Sequence, residues 1–289
     1  MITIGNIQLD DKCQWIVDRN KTRNKGKTAK GVVLLVSTQN IEVQWNAWRM
    51  MVKALDPLPE KVIFCENDSS DKTVDLINKW DFPHELLTFK SKTKKNKEDI
   101  YESVAKNRQK LLDRAREIEP SYALFLDDDV FPHDVDIIDK LTKKKLPIVG
   151  GLYIRPFEDK GVFVASKWHL DTPLDELPPA INLKDLVEDA KKKGLPYLMF
   201  SDCEDKLYEV AGTSAGCMCI RGDVINDEKL NFYPREIDLV KGGISEDFGY
   251  CLIAQKLGYK VYLDGSIRLE HLLPTPNRLR PWSRLSLEK

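Results

Sequence analysis

Residues 31–36 read GVVLLV, a short apolar run rich in β-branched side chains, and Ile41, Trp45, Trp48, Val52 and Leu55 follow it at helical spacing. An apolar run this short predicts a buried strand, and steps of three and four predict an amphipathic helix after it. The unit recurs. KVIFC at 61–65 is a second apolar strand, and Ser69 or Ser70 is placed to cap a helix carrying Val74 and Ile77 on one face. ELLTF at 85–89 reads as a third strand. A long helix then turns Ile100, Val104, Leu111, Ala115 and Ile118 inward, and SYALFL at 121–126 is the fourth strand. Apolar strands alternating with amphipathic helices predict an α/β, Rossmann-like architecture whose mostly parallel central sheet is flanked by helices. Such sheets bind ligands beyond the carboxyl ends of their strands.

Outward from this frame the pattern is less regular. Residues 1–30 end in RNKTRNKGKTAK, which has no apolar periodicity and reads as an arm or linker, so the folded unit is expected to start near Gly31. A helix around Val135 to Leu141 and a strand around Ile148 to Ile154 lead from a first half, 31–150, into a second, 151–289. The second half opens with a Pro-rich, charged excursion at 155–205, containing one short helix in PPAINLKDLVEDAKKK and expected to form a mobile cover. YEVAGTSAGCMCI (208–220) resumes extended structure, EDFGYCLIAQKLG (246–258) is a helix ended by Gly258, and KVYLD and SIRLEH are two final strands.

Hydrophobic residues make up 42% of the chain and charged residues 31%, the composition of a globular domain. No apolar run approaches the roughly 20 residues that span a bilayer, and the start, MITIGNIQLDDK, lacks a basic region followed by an apolar stretch. A cytoplasmic location is therefore expected. The net charge of −1 gives no global attraction to nucleic acid, which is not expected as a partner. Basic runs at Arg19 to Lys30, Lys90 to Lys97 and Lys191 to Lys193 read as solvated faces and leave peripheral membrane contact open. Cys13, Cys65, Cys203, Cys217, Cys219 and Cys251 show no CxxC spacing and read as reduced, packed thiols.

The sharpest local feature is FLDDDVFP, in which Asp127, Asp128 and Asp129 follow an apolar strand. In an extended segment Asp127 and Asp129 would point the same way, so two carboxylates could converge at the strand's end. Adjacent anions repel unless a cation neutralises them, and a hard divalent ion held by one or two carboxylates plus substrate phosphates is the usual solution. An acidic turn capping the next helix is the competing reading. Glu246 and Asp247 form a second acidic pair at the start of a helix, where carboxylates also complement the helix dipole. His271, inside RLEHLL, is either a packed residue or a ligand.

Taken in order, VSTQN (36–40), VIFCENDSSDKT (62–73), VAKN (104–107), FLDDDV (125–130), AGTSAGCMCI (211–220) and SEDFGYCLIAQKLGYKVYLD ahead of His271 resemble family-2-like glycosyltransferases of the GT-A fold. The resemblance runs from about Val32 to His271 and implies a nucleotide-sugar-binding first half and an acceptor-binding second half. It also implies a metal-dependent transfer from a UDP- or GDP-sugar, with Mn2+ or Mg2+, to a hydroxyl of a glycan, lipid-linked or protein acceptor. By match to the family's motifs, Ser37, Thr38, Asn40 and Glu66 would hold the base and ribose. Glu66 stands where Asp is usual, and Asp68 replaces a turn Gly. Lys106 matches a basic residue of the donor site, with Asn107 and Arg108 beside it. Asp127 and Asp129 match the DxD motif, and with Asp128 they would meet the metal and diphosphate. His271 would be a further metal ligand. Glu246 and Asp247 match the ED motif, with Asp247 in the general-base position of inverting members. NRLRPW (277–282) matches the processive QxxRW motif poorly, which implies a single transfer.

Two other classes start from the same features. Phosphotransferases with an aspartyl nucleophile also place DxD after an apolar strand, but near the chain start and with Thr or Val where Phe131 stands. A non-catalytic nucleotide-sugar-binding module would lack either DxD or the acidic pair, and both are present.

Overall fold

The computed structural model describes residues 2–4, 7–9, 26–91, 97–153, 155–157, 160–162, 203–210, 212–232, 245–275 and 278–281. Its strands are β1 (Ile2–Ile4), β2 (Ile7–Leu9), β3 (Thr28–Thr38), β4 (Leu58–Asn67), β5 (His84–Phe89), β6 (Tyr122–Leu126), β7 (Val130–Pro132) and β8 (Ile148–Tyr153). They continue with β9 (Arg155–Phe157), β10 (Lys160–Val162), β11 (Leu207–Glu209), β12 (Cys217–Arg221), β13 (Val261–Thr275) and β14 (Arg278–Pro281). The helices are α1 (Trp45–Ala54), α2 (Thr73–Asn78), α3 (Lys97–Ile118), α4 (Ile137–Thr142), α5 (Gly222–Ile225) and α6 (Glu246–Lys256).

The central sheet runs β5, β4, β3, β6, β12, β8, β13, and β14, β2 and β1 extend it beyond β13. β3, β4, β5 and β6 are mutually parallel, as are β8 and β13, while β12 lies antiparallel between β6 and β8. Alternate residues of β3 feed two cores. Val32, Leu34 and Val36 pack with Trp45, Trp48 and Phe64, and Val33 and Leu35 pack with Leu111, Leu112 and Ala115 of α3. A strand buried on both faces must be apolar throughout, which is why GVVLLV carries no polar alternation. Trp48 meets Phe64 edge-on at 5.4 Å and Trp80 at 5.9 Å, pairs each worth roughly 0.5–1.5 kcal/mol beyond their buried area.

Several boundaries differ from the sequence expectation. β3 starts at Thr28 instead of Gly31, because Thr28 and Ala29 still pair with Leu58 and Pro59 before a register shift ahead of Val33. Neither Ser69 nor Ser70 caps α2; the Asp71 carboxylate accepts from the Thr73 amide at 3.0 Å, so the helix starts later. KVYLD and SIRLEH form one strand, since a register shift between Asp264 and Arg268 lets β13 stay paired with β8. The α6 end falls as read, with Gly258 at φ +88 following the last turn. The helix expected at 178–193, most of the 155–205 excursion, Gly242 and Gly243 lie outside the described residues.

Candidate functional site

Parallel strands deliver their carboxyl ends to one edge. Thr38 ends β3, Glu66 and Asn67 end β4, and Leu126 ends β6 just before Asp127. The chain does not stay extended there. The Val130 amide donates to the Asp127 carbonyl at 3.2 Å, making a turn, so the expected convergence of alternate side chains gives way to three separate partners. Arg108 donates to both oxygens of Asp127 at 3.1 and 2.9 Å. Asp128 turns inward, accepting from the Thr38 hydroxyl at 2.5 Å and lying 3.5 Å from the Gln44 amide. Asp129 stays half-buried and meets His271, with Nε2 to Oδ2 at 2.8 Å.

His271 reaches Asp129 because β7 follows the turn directly and pairs with β13. Val130 sits opposite His271, and the Leu272 amide donates to the Asp129 carbonyl at 2.7 Å. The antiparallel β12 brings a second loop to the same place. Cys217 pairs with Leu126, so the Asp127 amide donates to the Gly216 carbonyl at 3.1 Å. Tyr153, at the end of β8, shares a hydrogen bond with the Ser214 hydroxyl and stands edge-on to His271 at 5.9 Å.

The acidic pair opens α6 as the sequence indicates. Glu246 is ion-paired with Arg108, and Asp247 Oδ2 lies 3.8 Å from the same guanidinium. Asp247 also accepts from the Ala215 amide at 3.2 Å, the Phe248 amide at 2.9 Å and the Ser245 hydroxyl. Burial works against the Arg108 charge, but Asp127, Glu246 and Asp247 outweigh it and hold the guanidinium protonated. For Asp128, burial pushes the carboxyl well above the usual carboxylate range. The Asp129 charge adds to this, and the Thr38 hydrogen bond opposes it.

Of the residues singled out in the sequence, one group is thus joined: Thr38, Arg108, Asp127, Asp128, Asp129, Glu246, Asp247 and His271. Ser37 is half-buried beside Thr38. Asn40 and Glu66 belong to a neighbouring loop cluster, where Asn40 Oδ1 accepts from the Ser70 amide at 2.8 Å and Glu66 Oε1 from the Ser69 amide at 2.6 Å. Lys106 turns to the surface and pairs with Glu102, and the Asn107 amide donates to Asn67 at 3.0 Å. Gln44, Tyr153, Ser214 and Gly216 were not anticipated. Tyr153 had a signal, since it ends an apolar strand.

The donor set suits a divalent cation. Asp129 and His271 place a carboxylate oxygen and an imidazole nitrogen 2.8 Å apart, so the two could share a divalent cation. Of the five acidic side chains here, Asp127, Glu246 and Asp247 face the one buried guanidinium of Arg108. Among the described residues no group of three or more potential ligands gathers. Asp129 and His271 are thus the two ligands that the described residues could offer, with phosphate oxygens and water able to fill further positions. No helix among the described residues is long and apolar enough to cross a membrane.

No protein-family model matches the chain, and no curated protein matches it by sequence. Its fold is similar to solved structures. TarS 1-349 from S. aureus is 14% identical with a TM-score of 0.50, the match covering 83% of this chain and 59% of that one. GalNAc-T7, solved with UDP, GalNAc and Mn2+, is 10% identical with a TM-score of 0.48, covering 86% of this chain and 44% of that one. The mannosyltransferase PcManGT from Pyrobaculum calidifontis, solved with GDP-Man and Mn2+, is 11% identical with a TM-score of 0.44, covering 91% and 65%. The chain has a GT-A type fold, and it spans less than two thirds of each of these structures.

Proposed function

We propose that this chain is a metal-dependent glycosyltransferase that moves a sugar from a nucleotide-sugar donor to an acceptor hydroxyl. The observation that carries the reading is the Asp129–His271 pair at the carboxyl edge of the sheet, in one connected site with the acidic pair of α6. Breaking a sugar–phosphate bond builds negative charge on the departing diphosphate, and a bound Mn2+ or Mg2+ supplies the charge that stabilises it. Asp129 and His271 would hold that ion. Ser37 and Thr38 at the end of β3, Asn40 in the loop just beyond it and Glu66 at the end of β4 would bind the base and ribose, and UDP or GDP is the nucleotide expected.

Transfer forms a bond between the acceptor oxygen and the sugar's anomeric carbon while the bond to the diphosphate breaks. The acceptor proton must go to a base. Asp247 is oriented by three donors, and we assign it that role in a single, inverting displacement, with a rate contribution of roughly 10²- to 10⁴-fold. Asp127, whose two oxygens accept from Arg108, is assigned to holding that guanidinium in place. The acceptor, a glycan, lipid-linked or protein hydroxyl, would enter beside α6. Donor-dependent release of nucleoside diphosphate in Mn2+, with analysis of the product's anomeric configuration, tests the reading. Retention relative to the donor would remove the role given to Asp247.

A further inference from the structure

Arg108 sits on α3, in the first half of the chain, yet its partners come from two distant segments. One nitrogen grips the Asp127 carboxylate at the end of β6, and another binds Glu246 and faces Asp247 at the start of α6. The residue is 3% exposed. A second strap closes the ring, since Gly216 accepts from the Asp127 amide while its neighbour Ala215 donates to Asp247. Burial works against a guanidinium, and well-packed apolar side chains would stabilise such a spot equally well or better. What the ion cluster adds is fixed relative placement of three carboxylates that would otherwise repel.

We infer that Arg108 is a positioning residue, which sets the acidic pair of α6 at a fixed place relative to the donor-side turn at 127–129 and does not itself grip the diphosphate. The inference rests on the glycosyl-transfer reading for its effect on turnover, though not for the coupling of the cluster. The two terminal nitrogens of Arg108 face carboxylates that belong to the protein, and only the buried Nε makes no hydrogen bond. Lysine in its place keeps the charge and loses the fork whose two nitrogens hold Asp127 and Glu246 at once.

The test uses the full chain with Arg108→Lys, Arg108→Met, Glu246→Gln and the Arg108→Met/Glu246→Gln double variant. UDP and GDP affinities in Mn2+ are measured by calorimetry and turnover under saturating donor. Both Arg108 variants are expected to keep nucleotide affinity within about 3-fold while kcat falls roughly 10-fold or more, with Lys retaining more activity than Met. Without any substrate, Glu246→Gln is expected to lower the melting temperature less in the Met background than in the wild type, because the two side chains are coupled. Should Arg108→Met fail to fold, Arg108→Gln with and without Glu246→Gln gives the same comparison, because the amide also removes the charge. Wild-type protein that turns over no nucleotide-sugar would refute the proposed function and leave the melting comparison as the arbiter. Additive melting shifts, or an affinity loss that matches the loss of turnover, would overturn the positioning role.

Discussion

Gly216→Ala probes how tightly the site is packed. A methyl group at this position would lie 2.7 Å from Tyr153 Cζ, closer still to the phenolic oxygen, and 3.2 Å from Asp127 Oδ2. The first contact is far inside van der Waals range. Tyr153 cannot swing away cheaply, being buried, hydrogen-bonded to Ser214 and packed edge-on against His271. Overpacking of this kind costs about 1–3 kcal/mol, which for a domain of this size lowers the melting temperature by roughly 2 to 12 °C. A thermal melt followed by tryptophan fluorescence reads this directly, since the Trp45, Trp48 and Trp80 cluster belongs to one continuous core. Tyr153→Phe in the same chain removes the nearest atom and should recover part of the loss, leaving the Cζ contact. Gly258→Ala is the control. Nothing lies within 4 Å of its new methyl group, but its φ of +88 should still cost about 1–2 kcal/mol with no effect on nucleotide binding. If Gly216→Ala melted within 1 °C of wild type and bound nucleotide equally well, the packing argument would be refuted.

Asp128→Asn should raise the melting temperature of the metal-free protein at pH 7. The raised carboxyl of Asp128 holds its proton to higher pH in the fold than in the unfolded chain, so its ionisation weakens the fold as pH rises above the ordinary carboxylate range. The advantage of the amide should vanish towards pH 3, and equal melting of the two proteins at pH 7 would contradict it. Asp129→Ala and His271→Ala should each weaken nucleotide binding in Mn2+ by roughly 10-fold or more, as read by calorimetry, with little change in EDTA. Full affinity in either variant would remove that residue from the metal site. Asp247→Asn should leave donor binding nearly intact and lower kcat by roughly 10²-fold or more in a steady-state assay. Turnover within a few-fold of wild type would exclude it as the base.

The half of the fold that was legible in sequence is the half buried on both faces. GVVLLV and KVIFC had to be strands because each side chain meets one of two cores, and Trp45 and Trp48 had to face inward at helical spacing. The end of the strand in FLDDDV gave Asp127 as a site candidate, and the family resemblance gave Thr38 and Glu66. What local pattern could not supply was long-range pairing. Asp129 and His271 are 142 residues apart and meet only because β7 pairs with β13. The convergence expected for Asp127 and Asp129 assumed an extended chain, and the turn after Leu126 sends the two to different partners. The resemblance set Arg108 beside Lys106 in the donor site. Its position four residues after Val104 and three before Leu111 already put it on the buried face of α3, whereas Lys106 points out.

The central claim is tested most directly by thermal shift of the wild-type chain with UDP and GDP, each with Mn2+, Mg2+ or EDTA, beside Asp129→Ala. A nucleotide present at 100 times its dissociation constant should stabilise the protein by about 2.7 kcal/mol, in the presence of the metal and not in EDTA, and the Asp129→Ala protein should lose most of that shift. A folded wild-type chain that shows no shift with either nucleotide, or the same shift in EDTA and in Asp129→Ala, would contradict a metal-dependent nucleotide-sugar site at the carboxyl edge of this sheet.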